Sequence, residues 1–473
     1  MLKLIKPTKL NRILTNNTNF STYTKLNVGI KSLGILPKLN WQQLKDSKLE
    51  VEQNIINRKL AHLVNLDEVL QVHREYGEVQ FKINGLRNKK QLVSQKLSKA
   101  GKEERLELIN EAQAIKEEIH NLEPKLNELN NKALRLGCLV PNFTHPSSPI
   151  GPEENANIVL KKEFNHEYPS QLVKNHYDLS ISHKMVDFEQ AAKVTGNSFY
   201  YLKNDGALLE LALVDLVVKL GLEKGYRLHI VPDIVKEDIL KACGFQPRDS
   251  HLSQTYGVSS SHEEEEANKL CLSGTSEVQL AGLYLNQQLQ KSQLPIQLMG
   301  KSHCFRAEAG ARGSETRGLY RVHQFTKLEL FELTDPSESD EALDKILEFQ
   351  KSILDKLELS YRVLDMPTEE LGSSAYKKYD IETWLPGSNK WGEVSSASNC
   401  TDYQSRRLNI RLPKQSTQKS PQFVHTLNGT ACAIPRIIVS ILEQYQTAEG
   451  KVKIPSILKP YFNNREFFTK GEF

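Results

Sequence analysis

His303–Leu333 reads HCFRAEAGARGSETRGLYRVHQFTKLELFEL. Two arms of alternating character flank a stretch rich in Gly, Arg and Glu, which predicts two antiparallel strands joined by a loop. In the second arm Arg321, His323, Phe325, Lys327 and Glu329 share one parity; Val322, Gln324, Thr326, Leu328 and Leu330 share the other. Successive strand residues face opposite ways. One face therefore carries charge and a single aromatic ring, and the other is mainly apolar. On the first arm Arg306 and Glu308 are expected to share a face, with Phe305 and Ala307 behind them. The result is a polar floor backed by core.

Such a floor suits a nucleotide. Arg306 offers a planar fork to phosphate, and Phe325 a flat partner for a base. Glu308 can accept from an exocyclic amine, and Glu329 can hold an ammonium group. Taken singly, each could equally be a salt-bridging residue on a solvated sheet face. Taken together, Arg-x-Glu, a Gly-bracketed loop and Arg-x-His-x-Phe-x-Lys-x-Glu resemble motif 2 of the class II aminoacyl-tRNA synthetases. The string TRGLYRVHQF, Thr316–Phe325, resembles the form found in seryl-tRNA synthetases.

The chain has 473 residues, room for two or three domains, and 39% hydrophobic content. No apolar run approaches the roughly 20 residues of a membrane span. The formal net charge is +4. The first 45 residues hold seven Lys, Arg12 and no Asp or Glu, so they carry +8 and leave −4 for the rest. Any nucleic-acid surface must therefore be local. The six cysteines lie far apart without a Cys-x-x-Cys pair, so a zinc cage is unsupported and no structural disulfide is expected.

Residues 1–40 fit a mitochondrial transit peptide: Lys3, Lys6, Lys9 and Arg12 recur every third residue among Leu and Ile, without acids. Its cleavage point is left open, because acid-free sequence runs on to Asp46. Residues 41–150 form a second unit. Tyr76, Val79, Ile83, Leu86, Lys90, Val93 and Leu97 step by three and four, and so do Ile115, Ile119, Leu122, Leu126, Leu129, Ala133 and Leu136. Two heptad segments around a turn at Ser98–Lys102 predict an antiparallel coiled-coil hairpin. A helix from about Leu66 to Lys99 would be on the order of 50 Å long and must project. Between Lys82 and Arg105 the arm is net +6, through Lys82, Arg87, Lys89, Lys90, Lys96, Lys99, Lys102 and Arg105 against Glu103 and Glu104. A charged coiled-coil surface can simply be solvated, but phosphate binding requires such a basic half. Gly137–Asn155 reads as a linker.

Residues 151–473 carry the remaining signals. The helix Gly206–Leu220 and strand Arg227–Pro232 resemble motif 1, whose family role is the dimer interface. His262–Glu266, HEEEE, reads as a solvated acidic run. Thr275 and Glu277 are expected on one strand face, a hydroxyl and a carboxylate toward one polar ligand. Asp335–Leu359 is an amphipathic helix. Glu393 and Ser396 match family positions for magnesium and ATP, yet strict alternation pairs Glu393 with Ser395, so a bulge or bend is required. Leu427–Tyr445, LNGTACAIPRIIVSILEQY, resembles motif 3. Pro435 belongs in the first turn of its helix, which sets Arg436 at an N-terminus that favours anions.

The resemblance covers about residue 40 to the end. It implies an α+β fold: an antiparallel-sheet catalytic domain with an N-terminal helical arm, in a homodimer without membrane insertion. It implies a serine–tRNA ligase that uses ATP and Mg²⁺ to make seryl-adenylate and passes the seryl group to tRNA-Ser; the basic leader adds the expectation that it does so in the mitochondrial matrix. It implies catalytic roles for Arg306 and Arg436. ATP would be held by Arg306, Glu308, Phe325, Glu393, Ser396 and Arg436, with the metal on Glu393 and Ser396. Serine would be held by Thr275, Glu277, Glu329, Asn428 and Thr430. The tRNA would be held by Lys82, Arg87, Lys89, Lys96, Lys99, Lys102 and Arg105. A related ligase that loads a carrier protein would be expected to lack the arm. A catalytically dead coiled-coil scaffold would have no need of Arg306, Glu308, Glu393 and Arg436.

Overall fold

The structure, a computed structural model, describes residues 37–166, 173–245, 255–259, 269–308, 318–414 and 421–471. The basic leader through residue 36, the acidic run His262–Glu266 and the loop at 309–317 lie outside the described residues.

Two short helices, Trp41–Asp46 and Lys48–Asn57, lead into α1, Leu66–Leu97, and its return α2, Lys102–Leu139. The side chain of Asn65 caps α1 by accepting from the Glu68 N–H. With 32 residues, α1 is about 48 Å long. The heptad positions form the seam between the helices. Val79, Ile83, Leu86 and Val93 pack against Ile115, Ile119, Leu122 and Leu126. Nearer the base, Val72 and Tyr76 meet Leu129, Ala133 and Leu136. Ion pairs brace the outside: Lys82–Glu118 at 2.9 Å, Arg87–Glu123 at 3.3 Å and Lys89–Glu111 at 3.0 Å. Lys90, the polar residue in the heptad seam, lies in a groove between the helices beside Lys116 and Glu123.

The body is built on an eight-stranded sheet. In chain order its strands are β1, Asn157–Lys162; β2, Arg227–Ile230; β3, Ile296–Phe305; β4, Gln324–Thr334; β5, Tyr361–Asp365; β6, Lys377–Leu385; β7, Lys390–Asn399; and β8, His425–Ala433. Their order across the sheet is β1-β5-β6-β7-β8-β4-β3-β2. Every pairing is antiparallel except β2 on β3, which is parallel, at the edge where motif 1 was expected. β2 also stops at Ile230, short of Pro232.

Helices cover one face. They are α3, Asp205–Glu223, and, after the one-and-a-half-turn α4, Glu277–Gly282, the helices α5, Ser339–Lys356, and α6, Ile434–Gln444. Leu213, Ile346 and Ile438 from α3, α5 and α6 share one core with Leu328 and Leu330 of β4. The opposite parity of β4 is thereby left for the polar floor. Further along β4 that floor ends where Phe331 and Leu333 join a second core with Val278 and Leu280 of α4.

The arm is joined firmly to the body. Gly137, expected in the linker, still lies within α2, where a Cβ would collide with Leu39 and Trp41. Beyond it Asn142 N–H donates to Ser373 O at 2.8 Å and His145 N–H to Tyr376 O at 2.8 Å. Arg58 is 1% exposed and reaches the carbonyls of Phe143, Gly372 and Ala375 as well as Thr144 Oγ1.

Candidate active site

β3 and β4 form the antiparallel pair expected from the opening stretch, but each is shorter there than alternation suggested. β3 ends at Phe305, and Glu308 has φ +47°, a left-handed conformation that no strand continues through. Arg306 and Glu308 therefore do not share a strand face. Arg306 nevertheless stays in register: its N–H donates to His323 O at 2.9 Å, and His323 Nδ1 lies 2.8 Å from Arg306 O. The Arg306 guanidinium carbon sits 5.4 Å from the centre of the Phe325 ring. Glu308 meets Arg321 at 3.1 Å. Arg306, Glu308, Phe325, Tyr320, Pro435 and Arg436 line one narrow cleft.

Pro435 does fall in the first turn of its helix, and Arg436 follows it. Arg436 Nη1 donates to the Glu393 carbonyl at 2.9 Å and contacts Glu393 Oε2 at 3.1 Å, with its guanidinium carbon 4.9 Å from the Tyr320 ring centre. The β6–β7 register explains how Glu393 and Ser396 come together. Glu393 opposes Glu382, Ser395 opposes Ile381 and Ser396 opposes Asp380, which leaves Val394 as an extra residue. That bulge shifts the parity by one and returns Ser396 to the face of Glu393. Ser395 turns away and donates to Thr430 O at 2.6 Å. Burial works against charge on Glu393, but Arg436, Lys378 and Arg306 override it and hold its carboxyl well below the usual range. Asp380 is pushed the other way by burial, with Lys378 opposing and Glu393 reinforcing the rise. The Glu393 carboxylate and the Ser396 hydroxyl on one face are hard oxygen donors of the kind magnesium takes, while the adjoining Asp380 and Glu382 are paired with Lys378 and Arg362.

The third group corrects a sequence expectation. Thr275 and Glu277 do not alternate on a strand: the strand ends at Leu272, and Glu277 opens α4. The turn is possible because Gly300 lets Ser276 sit against β3, where a Cβ would lie 2.6 Å from the Ser276 Oγ. The two side chains consequently go to different partners. Thr275 Oγ1 accepts from Lys327 Nζ at 3.0 Å. Glu277 Oε1 accepts from Gln404 Nε2 at 2.6 Å and Asn428 Nδ2 at 2.9 Å. Its carboxyl is pushed up to about 7, first by burial and then by the nearby Glu329. Glu329 pairs with Lys327 at 2.5 Å and accepts from Thr430 Oγ1 at 3.3 Å. Thr275 and Glu329 thus converge at Lys327, and Thr430 joins them through Glu329, while Glu277 and Asn428 bond to each other beside them.

Comparisons with known proteins identify the family of the chain. Residues 256–445 match the family described as tRNA synthetase class II core domain (G, H, P, S and T). Residues 39–144 match the seryl-tRNA synthetase N-terminal domain. A serine–tRNA ligase of Dictyoglomus turgidum is 40% identical over 428 residues, 90% of this chain and 98% of that protein. The chain belongs to the seryl-tRNA synthetase family. A mitochondrial serine–tRNA ligase of Schizosaccharomyces pombe is 39% identical over 91% of this chain and 89% of its own. The crystal structure of seryl-tRNA synthetase from Pyrococcus horikoshii complexed with ATP superposes with a TM-score of 0.81 at 35% identity, covering 92% of this chain and all of that one.

Two side chains in this seryl-tRNA synthetase fold were given no role by sequence reasoning. Gln404 joins Glu277 to Thr426; only its tertiary partners mark it. Lys327 was legible in principle, because it stands on the floor parity between Phe325 and Glu329. On the arm, Lys82, Arg87 and Lys89 are tied into the cross-helix ion pairs. Among the described residues, Lys96, Lys99, Lys102 and Arg105, around the tip, are exposed and hold no ion pair.

Proposed function

We propose that this chain is a mitochondrial serine–tRNA ligase that activates L-serine with ATP and esterifies tRNA-Ser, and that the three side-chain groups above divide that work. The observation that carries the reading is the convergence on one sheet face of the Arg306–Phe325 couple, the Arg436–Glu393 pair and the Glu329–Thr430–Thr275 set.

Activation needs no side-chain nucleophile. Serine's carboxylate attacks the α-phosphate of ATP, pyrophosphate leaves, and the seryl group then passes from the adenylate to the terminal ribose hydroxyl of the tRNA. The protein supplies position and charge. Arg306 holds the α-phosphate and stabilises the charge that develops there. Adenine takes the Phe325 face, with Glu308 near its amine. Arg436, at the start of α6, holds the distal phosphates. Glu393 and Ser396 are the residues that would hold Mg²⁺, which when bound neutralises triphosphate charge. Glu329 holds serine's ammonium group, Thr430 and Thr275 read its polar atoms, and Glu277 with Asn428 fixes the pocket wall.

The arm is the tRNA device. Its tip cations are too far from the pocket to serve adenylation, and their exposure suits phosphate. The fold also presents a surface for a second copy: Leu208, Leu211 and Leu222 on α3 and Leu228 and Ile230 on the β2 edge are exposed, Ile230 at 81%. A cavity of about 510 Å³ opens beside them, lined by Tyr201, Leu211 and Gln324. Exposed apolar residues contiguous with a free sheet edge favour pairing, which supports a homodimer. The acid-free basic leader and the mitochondrial relatives support import to the matrix.

Serine-dependent exchange of pyrophosphate into ATP tests the activity directly. Exchange with serine and none with alanine or threonine is expected; exchange that ignores serine would refute the reading.

A further inference from the structure

We propose that Lys327 is a built-in occupant of the ammonium position, and that ATP draws it away so that serine can enter. The inference rests on the reading of Glu329 as the ammonium holder.

Lys327 Nζ lies 2.5 Å from Glu329 Oε2 and 3.0 Å from Thr275 Oγ1. The same Glu329 oxygen accepts from Thr430 Oγ1. Glu329 is the acceptor assigned to the substrate's ammonium, and Thr275 and Thr430 belong to the same proposed serine pocket. Both side chains of the pair are sequestered, Lys327 at 6% and Glu329 at 4% exposure. A second ammonium brought to this carboxylate would sit beside the first with little water to screen them. One oxygen of the neighbouring carboxyl, Glu277 Oε1, is already held by Gln404 and Asn428. Lys327 must therefore yield.

Its alternative site lies along the same strand face. Phe325 is two residues away, about 7 Å at strand spacing, and Arg306 stands over it. An α-phosphate seated at Arg306 gives a flexible ammonium on a four-carbon stem a new anionic partner within reach. With ATP bound, Lys327 can leave Glu329 without becoming an unpaired buried cation. The consequence is energetic coupling: ATP raises the affinity for serine, and serine raises the affinity for ATP by the same factor.

The test measures serine binding by calorimetry on the full-length enzyme, with and without a non-hydrolysable ATP analogue and Mg²⁺. The analogue is expected to tighten serine binding about tenfold or more in the native protein. In Lys327→Met, serine should bind the empty enzyme more tightly than it binds the native protein, and the ratio should fall toward one. Lys327→Gln keeps a neutral donor toward Glu329 and should behave alike even if the Met variant folds poorly. Equal weakening of serine binding in both states would make Lys327 an ordinary ligand or prop and overturn the proposal, as would absence of coupling in the native protein. Glu329→Gln separates the two readings. Undiminished serine binding in that variant would sink the assignment of Glu329 itself, whereas lost binding alongside intact coupling in Lys327→Gln would sink only the displacement.

Discussion

The Arg306 guanidinium carbon lies 5.4 Å from the centre of the Phe325 ring, although the two residues belong to opposite arms of the β3–β4 hairpin. On the proposed roles, this contact sets the α-phosphate ligand and the adenine platform side by side. Arg306→Ala is expected to reduce serine-dependent pyrophosphate exchange by about 10²–10³-fold while leaving sedimentation and thermal unfolding close to native. Near-normal exchange would mean that another group binds the α-phosphate.

Glu277 sets a pH dependence of stability. In the folded chain its carboxyl is raised to about 7, above its ordinary 4.5. The folded state therefore binds more protons than the unfolded state between those values, and stability declines as pH rises through that window, by at most about 3 kcal/mol. Glu277→Gln keeps an oxygen for Gln404 and Asn428 but cannot titrate. Chemical denaturation between pH 5 and pH 8 should show this component in the native protein and not in the variant. Parallel curves would show that Glu277 is ionised in the folded state.

Removal of the outer arm should separate the two half-reactions. Deleting Ile83–Ile119 and closing the stumps at Val79 and Leu122 with a short loop should leave pyrophosphate exchange intact and raise the KM for tRNA steeply. Within the intact arm, neutralising Lys96, Lys99, Lys102 or Arg105 should lessen the salt slope of tRNA binding by about one unit for each cation that touches a phosphate. Neutralising Lys82, Arg87 or Lys89 should do less, since each already serves a glutamate. Normal charging by the deletion variant would make the arm a spacer.

Arg58 is expected to hold the arm's base to the body. Its guanidinium donates to three carbonyls and a hydroxyl while buried. Arg58→Met leaves those acceptors without their donor and should cost about 3 kcal/mol, with faster proteolysis near 140–145. An unchanged cleavage rate would show that the neighbouring backbone hydrogen bonds suffice.

Much of this was readable in the chain because the relevant periods are short. The arm follows from steps of three and four, and the floor from Phe325, Lys327 and Glu329 at steps of two. The parity conflict at Glu393 and Ser396 demanded a bulge, and Val394 is it. What escaped depends on neighbours that no local window contains. Glu308 leaves the strand through a positive φ at a residue that is not glycine. Thr275 and Glu277 part company because Gly300, on another strand, lets the chain turn between them. The docking of Arg58 on Ala375 spans 317 positions. The leader, which motivates the localisation, is legible by composition alone; residues 1–45 fused to a fluorescent reporter should enter mitochondria, and a diffuse cytosolic signal would refute it.

The joint between arm and body has an evolutionary corollary. Arg58, Asn142 and His145 address the body chiefly through main-chain carbonyls, those of Gly372, Ser373, Ser374, Ala375, Tyr376 and Cys400. A carbonyl survives almost any substitution of the residue that bears it. The body's side of the joint can thus drift freely in sequence while the socket keeps its shape. Arms should then be interchangeable between distant relatives, so tRNA preference could be exchanged as a cassette without retuning the chemistry it serves.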